Sequence, residues 1–328
     1  MDLAMLWFAL VVLCWVLFAV LEGFDFGVGM LAGIVGRDEH ERGAAVRTVG
    51  PVWDGNEVWL VAAIGVTFAA FPDWYAALLS GLYLPLVIVL LALAARGVAL
   101  EFRGKVDTAR WRHRCDVALG VSSLVCAAGF GAALGVATTG LALGPGGAVA
   151  GAGPARSLAP LASWPALTGA VLGVLATLLQ GAAFLGLRTT GPVRVRARRV
   201  AVTTAGVAAV VVGILAGVAA PVAGIVAVLA LVAGIAGVRR WEATAFAAAS
   251  LAVLGGVVAA FVAHAPVVLP STLDPALSLT IAGAAASPEA LQVITIGAVI
   301  ILPGVLAYQA FSYWVFRRRV ASGREVSA

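Results

Sequence analysis

Residues 4–34 read AMLWFALVVLCWVLFAVLEGFDFGVGMLAGI, an almost wholly apolar run with two carboxylates, Glu22 and Asp25, set inside it. About 20 apolar residues suffice for a helix to cross the hydrocarbon of a bilayer, so the run predicts a membrane-spanning helix. The next apolar run, 51–71, opens on Trp53-Asp54-Gly55-Asn56-Glu57. Four carboxylates in two such helices are costly to keep at membrane depth, and ionisable groups there mark an ion or proton path or a buried pair.

Outward from these two runs the chain keeps the same character. Of its 328 residues, 62% are hydrophobic and 11% charged, with a mean hydropathy of +1.06, far from the balance of a soluble domain. The net charge of +5 is no sign of nucleic-acid binding, because the basic residues sit in short loops between apolar runs. Arginine outnumbers lysine twenty to one, Lys105 being the sole lysine, and Ala and Gly abound, a hint of a GC-rich bacterial genome. Cys14, Cys115 and Cys126 are scattered without a Cys-x-x-Cys and read as small packing residues. Asp2 stands where a cleaved signal peptide would carry basic residues, so the first run is expected to be a permanent span.

The apolar runs give nine candidate spans: 4–34, 51–71, 74–95, 115–138, 161–187, 200–219, 222–238, 241–263 and 289–316. The expectation is an all-α polytopic membrane protein, a single integral membrane domain over 1–328. Loops alternate between basic and non-basic. The basic ones hold Arg37, Arg42 and Arg47; Arg96, Arg103, Lys105, Arg110, Arg112 and Arg114; Arg188, Arg194, Arg196, Arg198 and Arg199; Arg239 and Arg240; and Arg317, Arg318, Arg319 and Arg324. That places 20 of 21 basic residues on one side and only Arg156 on the other. The positive-inside rule then puts the N-terminus outside and the C-terminus in the cytoplasm. The uncharged stretch 200–238 is flanked by arginines at both ends and must cross an even number of times; Gly217 and Pro221 suit the turn of a short hairpin. Residues 139–160, rich in Gly, Pro and Ala, and 264–288, with Pro266, Pro270, Pro275 and Pro288, are expected to be external. Tyr313 and Trp314 before Arg317 read as an interfacial belt and a cytoplasmic anchor. Small-x-x-x-small spacings at Gly23/Gly27, Gly29/Gly33, Gly131/Gly135, Gly169/Gly173 and Gly213/Gly217 would permit close helix contacts.

Glu22 and Asp25 are three apart, as are Asp54 and Glu57, so each pair shares a helix face. The short loop between the two helices makes them antiparallel neighbours with both pairs at similar depth. Carboxylates clustered there would pass protons inward, each raising its neighbour's proton affinity. A competing reading makes Asp54 and Glu57 an anion pair at the water interface, favoured by the helix N-terminus. The partner charge would come from Arg96, from Arg103, or from another subunit. His40 and His113 fall in inner loops and His264 at an outer helix end, and none has the position or spacing that grips a haem or a metal. Met30 reads as packing. With no phosphate loop and no nucleophile elbow, no catalytic residue and no metal site are expected in the chain alone.

With these residues in view, the chain resembles subunit II of the bacterial cytochrome bd-type quinol oxidase family over nearly its whole length. The strongest blocks are Glu22-Gly23-Phe24-Asp25-Phe26-Gly27-Val28-Gly29-Met30-Leu31 and Trp53-Asp54-Gly55-Asn56-Glu57-Val58-Trp59. Arg110-Trp111-Arg112, Gln180-Gly181, Pro270-Ser271 and Leu277-Ser278-Leu279-Thr280 support them. The resemblance implies nine helices, built as two four-helix bundles plus one, paired with a similarly folded subunit I across a pseudo-twofold axis. It implies that two b-type haems and one d-type haem lie in subunit I, as does the quinol site. This chain would then bind no cofactor alone beyond a structural quinone. The complex would reduce oxygen to water with electrons from a quinol, menaquinol being the expected donor, in the bacterial cytoplasmic (inner) membrane. This subunit would support assembly; a small single-helix subunit and membrane lipid are further expected partners. By the same resemblance Asp54 lies on a cytoplasmic proton path, Asp25 and Glu22 lie near it, and Trp59 lies beside an oxygen conduit. Glu57 joins them as a candidate, although many relatives carry Gln there; the position of Glu22 is often Asp.

Two rivals use the same carboxylates. One is a proton-coupled secondary transporter, in which Pro85 and Pro303 would break helices without forming a matched pair. The other is a purely structural membrane subunit whose carboxylates fix packing against a partner's arginines.

Overall fold

The computed structural model describes residues 2–216 and 221–322. The expected turn at Gly217 and the tail residue Arg324 lie outside the described residues. At the centre stands α1 (Leu3–Val35), capped by Asp2, whose carboxylate accepts from the Ala4 N–H at 3.2 Å. Its 33 residues make ~50 Å of helix, more than the hydrocarbon is deep. Apolar on every side, it is buried along most of its length.

After α1 come α2 (Glu39–Arg47), α3 (Trp53–Ala70), α4 (Pro72–Gly81), α5 (Tyr83–Phe102), α6 (Ala109–Thr139) and α7 (Gly153–Leu158). Then follow α8 (Trp164–Arg188), α9 (Gly191–Ala216), α10 (Pro221–Val238), α11 (Glu242–Val262) and α12 (Pro288–Val315). Among the described residues seven helices are long and apolar enough to cross a membrane: α1, α5, α6, α8, α9, α11 and α12. The chain is thus an all-α, multi-pass membrane protein. The expected span at 51–71 corresponds to α3, whose first turns carry Asp54 and Glu57. The one at 222–238 corresponds to α10, with Val228–Val238 described as a shorter apolar helix.

Two expectations need correction. The single helix expected over 74–95 is two, α4 and α5, broken at Leu82 (φ −121°, ψ 25°). Pro85 lies in the first turn of α5, where a missing N–H leaves no gap in the hydrogen-bond ladder, whereas Pro303 stays inside α12. The second concerns basic residues expected in loops. Arg194, Arg196, Arg198 and Arg199 lie on α9, which begins at Gly191 rather than 200; Arg110, Arg112 and Arg114 lie on α6, which begins at Ala109 rather than 115; and Arg96 lies inside α5, which runs to Phe102 rather than 95.

Helices α1, α3, α5 and α6 pack on one side and α8–α11 on the other; α1 and α6 meet α8 between them, and α12 rests on α3. The seam is built on glycine. A Cβ on Gly27 would overlap the Thr177 carbonyl, one on Gly131 the Gly169 carbonyl, and one on Gly135 the Pro165 carbonyl. Backbones this close exchange dispersion contacts that larger residues would prevent. Gly33, by contrast, faces open space.

The loop segments sort by end. At one end residues 139–160 lace onto 264–288: the Leu141 N–H donates to the Pro270 carbonyl at 3.1 Å, and the Ser271 hydroxyl to the Leu143 carbonyl at 3.0 Å. There β1 (Val267–Leu269) pairs antiparallel with β2 (Leu279–Thr280). At the other end Arg103 meets Asp116 at 2.6 Å and Glu39 at 2.9 Å, and Arg196 meets Glu41 at 2.5 Å. Arg194 and Arg198 both hold Glu242, the former at 2.8 Å. The C-terminal tail closes this end: the Val320 N–H donates to the Arg188 carbonyl at 2.7 Å, and the Thr190 N–H to the Val320 carbonyl at 3.1 Å.

Candidate functional site

The acidic residues of α1 lie where that helix is most enclosed. Glu22 and Asp25 are completely buried, and so are Asn56 on α3, Arg96 on α5 and Gln180 on α8. Four helices thereby contribute one carboxylate pair, two amides and one guanidinium to a single polar cluster in an apolar bundle. Arg96 forms an ion pair with Glu22, lies 3.8 Å from Glu57, and sits over the Phe26 ring with 5.0 Å to its centroid. Glu57, the residue after Asn56 on α3, reaches the edge of the cluster and keeps 26% of its side chain exposed.

Asn56 is the hub of the hydrogen bonding. Its Nδ2 donates to Asp25 Oδ2 at 2.7 Å and to the Leu21 carbonyl at 3.2 Å. Its Oδ1 accepts from Tyr313 Oη at 2.7 Å and from Gln309 Nε2 at 2.9 Å, both on α12. Gln180 donates to the Val20 carbonyl at 3.3 Å. Several buried atoms have no protein partner: Glu22 Oε2, Asp25 Oδ1, Arg96 Nε and Nη2, and Gln180 Oε1. Buried polar atoms in that state are ordinarily met by internal water.

Of the four carboxylates singled out by sequence, three therefore meet around Arg96, and Asp54 does not. Asp54 sits exposed in the first turn of α3, with no hydrogen bond or ion pair among the described residues. That is the placement of an anion favoured by a helix N-terminus. Of the two arginines offered as partner, Arg96 fills the role, while Arg103 is spent on Asp116 and Glu39. Trp59 is buried among Phe18, Phe26, Leu60 and Leu93, its indole N–H without an acceptor. Asn56, Gln309 and Tyr313 were not singled out as site residues. Asn56 stood in view inside the Trp-Asp-Gly-Asn block, but a neutral amide gives no charge signal.

His40, His113 and His264 are all exposed, and no group of three or more His, Cys, Asp or Glu is arranged to hold a metal among the described residues. Haem ligation uses a His, Met, Cys or Tyr aimed into a closed pocket. The three cysteines are buried and free, in apolar packing.

The fold and the buried cluster define a multi-pass helical membrane protein whose bundle encloses a guanidinium and carboxylates, groups that in such proteins mark a candidate functional site. Comparison with known proteins narrows the class. The chain belongs to the cytochrome bd terminal oxidase subunit II family, whose sequence model matches residues 3–316. It is 37% identical to cytochrome bd ubiquinol oxidase subunit 2 of Bacillus subtilis over 336 residues, covering 96% of each chain. It is 31% identical to cytochrome bd-I ubiquinol oxidase subunit 2 of Escherichia coli K12 over 362 residues, covering 97% of this chain and 95% of that one. Among solved structures, a chain of the bd oxidase from Geobacillus thermodenitrificans shares the fold, with a TM-score of 0.73 at 20% identity over 96% of this chain and 99% of that one.

Proposed function

We propose that this chain is the haem-free subunit of a bd-type quinol:oxygen oxidoreductase. It spans the bacterial cytoplasmic membrane nine times, as one domain, with its N-terminus outside and its C-terminus in the cytoplasm. Subunit I, its pseudo-symmetric partner, holds two b-type haems and one d-type haem and oxidises the quinol; this chain supports assembly and delivers protons from the cytoplasm. When bound, those haems supply the electron transfer and oxygen reduction. The residues of this chain supply proton handling.

The buried cluster carries the reading. One guanidinium, Arg96, faces three carboxylates, Glu22, Asp25 and Glu57, an imbalance that a proton shared among them relieves. Asp54, exposed one turn from Glu57, is the mouth of the path, and Glu57 bridges the surface to the enclosed pair. Trp59, in its aromatic packing, borders the oxygen conduit. Exposed histidines at helix ends support placing the haems in the partner.

The test is the assembled oxidase carrying Asp25→Asn or Asp54→Asn. Oxygen reduction should slow while the reduced-minus-oxidised haem spectrum keeps its amplitude. Full turnover in both variants would remove the proton-path role and favour a structural subunit.

A further inference from the structure

The four hydrogen-bonding capacities of the Asn56 amide are all used: two N–H donors and two oxygen lone pairs. Its orientation is not a free choice. The Leu21 carbonyl is an acceptor with no alternative, so Nδ2 must face it, and Oδ1 then faces Tyr313 and Gln309. With its amide held this way, Asn56 offers Asp25 a hydrogen and never a lone pair. Asp25 Oδ2 accepts that hydrogen at 2.7 Å, whereas Asp25 Oδ1 has no partner in the protein.

We propose that Asn56, locked by Leu21 of α1 and by Gln309 and Tyr313 of α12, is a positioning residue that reserves Oδ2 of Asp25 and leaves Oδ1 as the single oxygen through which Asp25 takes up and gives up its proton. The inference rests on the proton-path reading. The step is a plain proton transfer: an O–H bond forms at Oδ1 as the donor's O–H breaks, and no electron changes hands. Protons arrive from the side of Glu22, whose Oε2 is likewise unpartnered. The Asn56 side is closed, because an amide with all its hydrogens committed carries no proton onward. Tyr313 therefore orients the amide and does not relay.

A protonated Asp25 then has its carbonyl at Oδ2, hydrogen-bonded to Asn56, and such a bond lowers the C=O stretching frequency. The experiment is redox-difference infrared spectroscopy on the assembled oxidase, the Asp25 band being the one lost in Asp25→Asn. In Asn56→Leu that band should move to higher wavenumber, and kcat should fall about tenfold, the worth of one hydrogen bond to a charged group, with the quinol KM unchanged. Asn56→Ala also deletes both amide hydrogens and adds no new carboxyl beside Asp25. Measured against Asn56→Ala/Asp25→Asn, it gives the same shift should the leucine variant fail to assemble. A band that stays at its original position in these variants, while Asp25→Asn is slow, overturns the positioning role alone. Full turnover of Asp25→Asn, or the absence of any band assigned to it, overturns the path reading and this inference with it.

Discussion

Removing Arg96 strands charge inside the bundle, and the cost follows from its neighbours. In Arg96→Leu the fully buried Glu22 loses its ion-pair partner, a loss of about 3–5 kcal/mol. The contact with Phe26 at 5.0 Å contributes ~1 kcal/mol more. Glu57, at 3.8 Å but 26% exposed, adds ~1 kcal/mol at most after screening. Glu22 escapes part of this by binding a proton, which leaves a net loss of ~4 kcal/mol, about a thousandfold in the folding equilibrium. The second variant, Arg96→Leu/Glu22→Leu, removes both members of the pair, and apolar replacement of a buried pair is often neutral. Asp25 and Glu57 still feel the missing guanidinium, so the double variant should recover ~2 kcal/mol relative to Arg96→Leu. Titrating the purified oxidase in detergent with SDS, with unfolding followed by tryptophan fluorescence, measures both. A double variant that unfolds no later than Arg96→Leu would refute the account of stranded charge.

Other consequences follow from the packing and from the inner surface. Gly27→Ala drives a methyl into the Thr177 carbonyl and should cost about 1–3 kcal/mol, while Gly33→Ala, facing open space, should be neutral or slightly stabilising; thermal retention of the assembled complex separates them. Burial works against the Glu41 carboxylate, but the hydrogen bonds from Arg196 and the Arg37 amide, with the Arg196 charge, hold its pKa below the ordinary 4.5. A depressed carboxylate stabilises above its unfolded pKa and less as pH falls through its folded value. The link between α2 and α9 should therefore be complete at neutral pH, start to weaken as pH falls past the ordinary 4.5, and open only as pH falls through the depressed folded value. Hydrogen exchange in residues 39–47 as a function of pH, compared with Arg196→Ala, checks this; an acid-insensitive α2 would contradict it.

Much of the site was legible because carboxylates inside an apolar run announce themselves. Glu22 and Asp25 needed no fold to be noticed, and their shared face followed from helical spacing. Arg96 and Arg103 could not be separated by sequence, since both lie near the inner end of an apolar run; the fold separates them, Arg96 facing Glu22 inside the bundle and Arg103, just past α5, pairing with Asp116 of α6 and Glu39 of α2. Asp54 and Glu57 exchanged emphasis for a related reason. One turn of helix decides which of them faces the bundle, and hydropathy does not see rotation about an axis. The break at Leu82 was hidden because residues on both sides are equally apolar. Asn56 was hidden by neutrality, and the two donors to its oxygen lie more than 250 residues away. The glycine spacings were visible, but only the crossings of α1 and α6 with α8 show which of them are used.

The last helix carries a consequence for biosynthesis. Asn56 is made early in translation, yet the donors that satisfy its oxygen belong to residues 309 and 313 of 328. Until α12 has left the ribosome and docked, that oxygen has neither donor. The tail that pins α12 to Arg188 and Thr190 is made later still. A ribosome that stalls, or a message cut short, before residue 309 yields a chain with every carboxylate of the cluster and no finished site. The arrival of α12 is thus registered by the same atoms that orient Asp25.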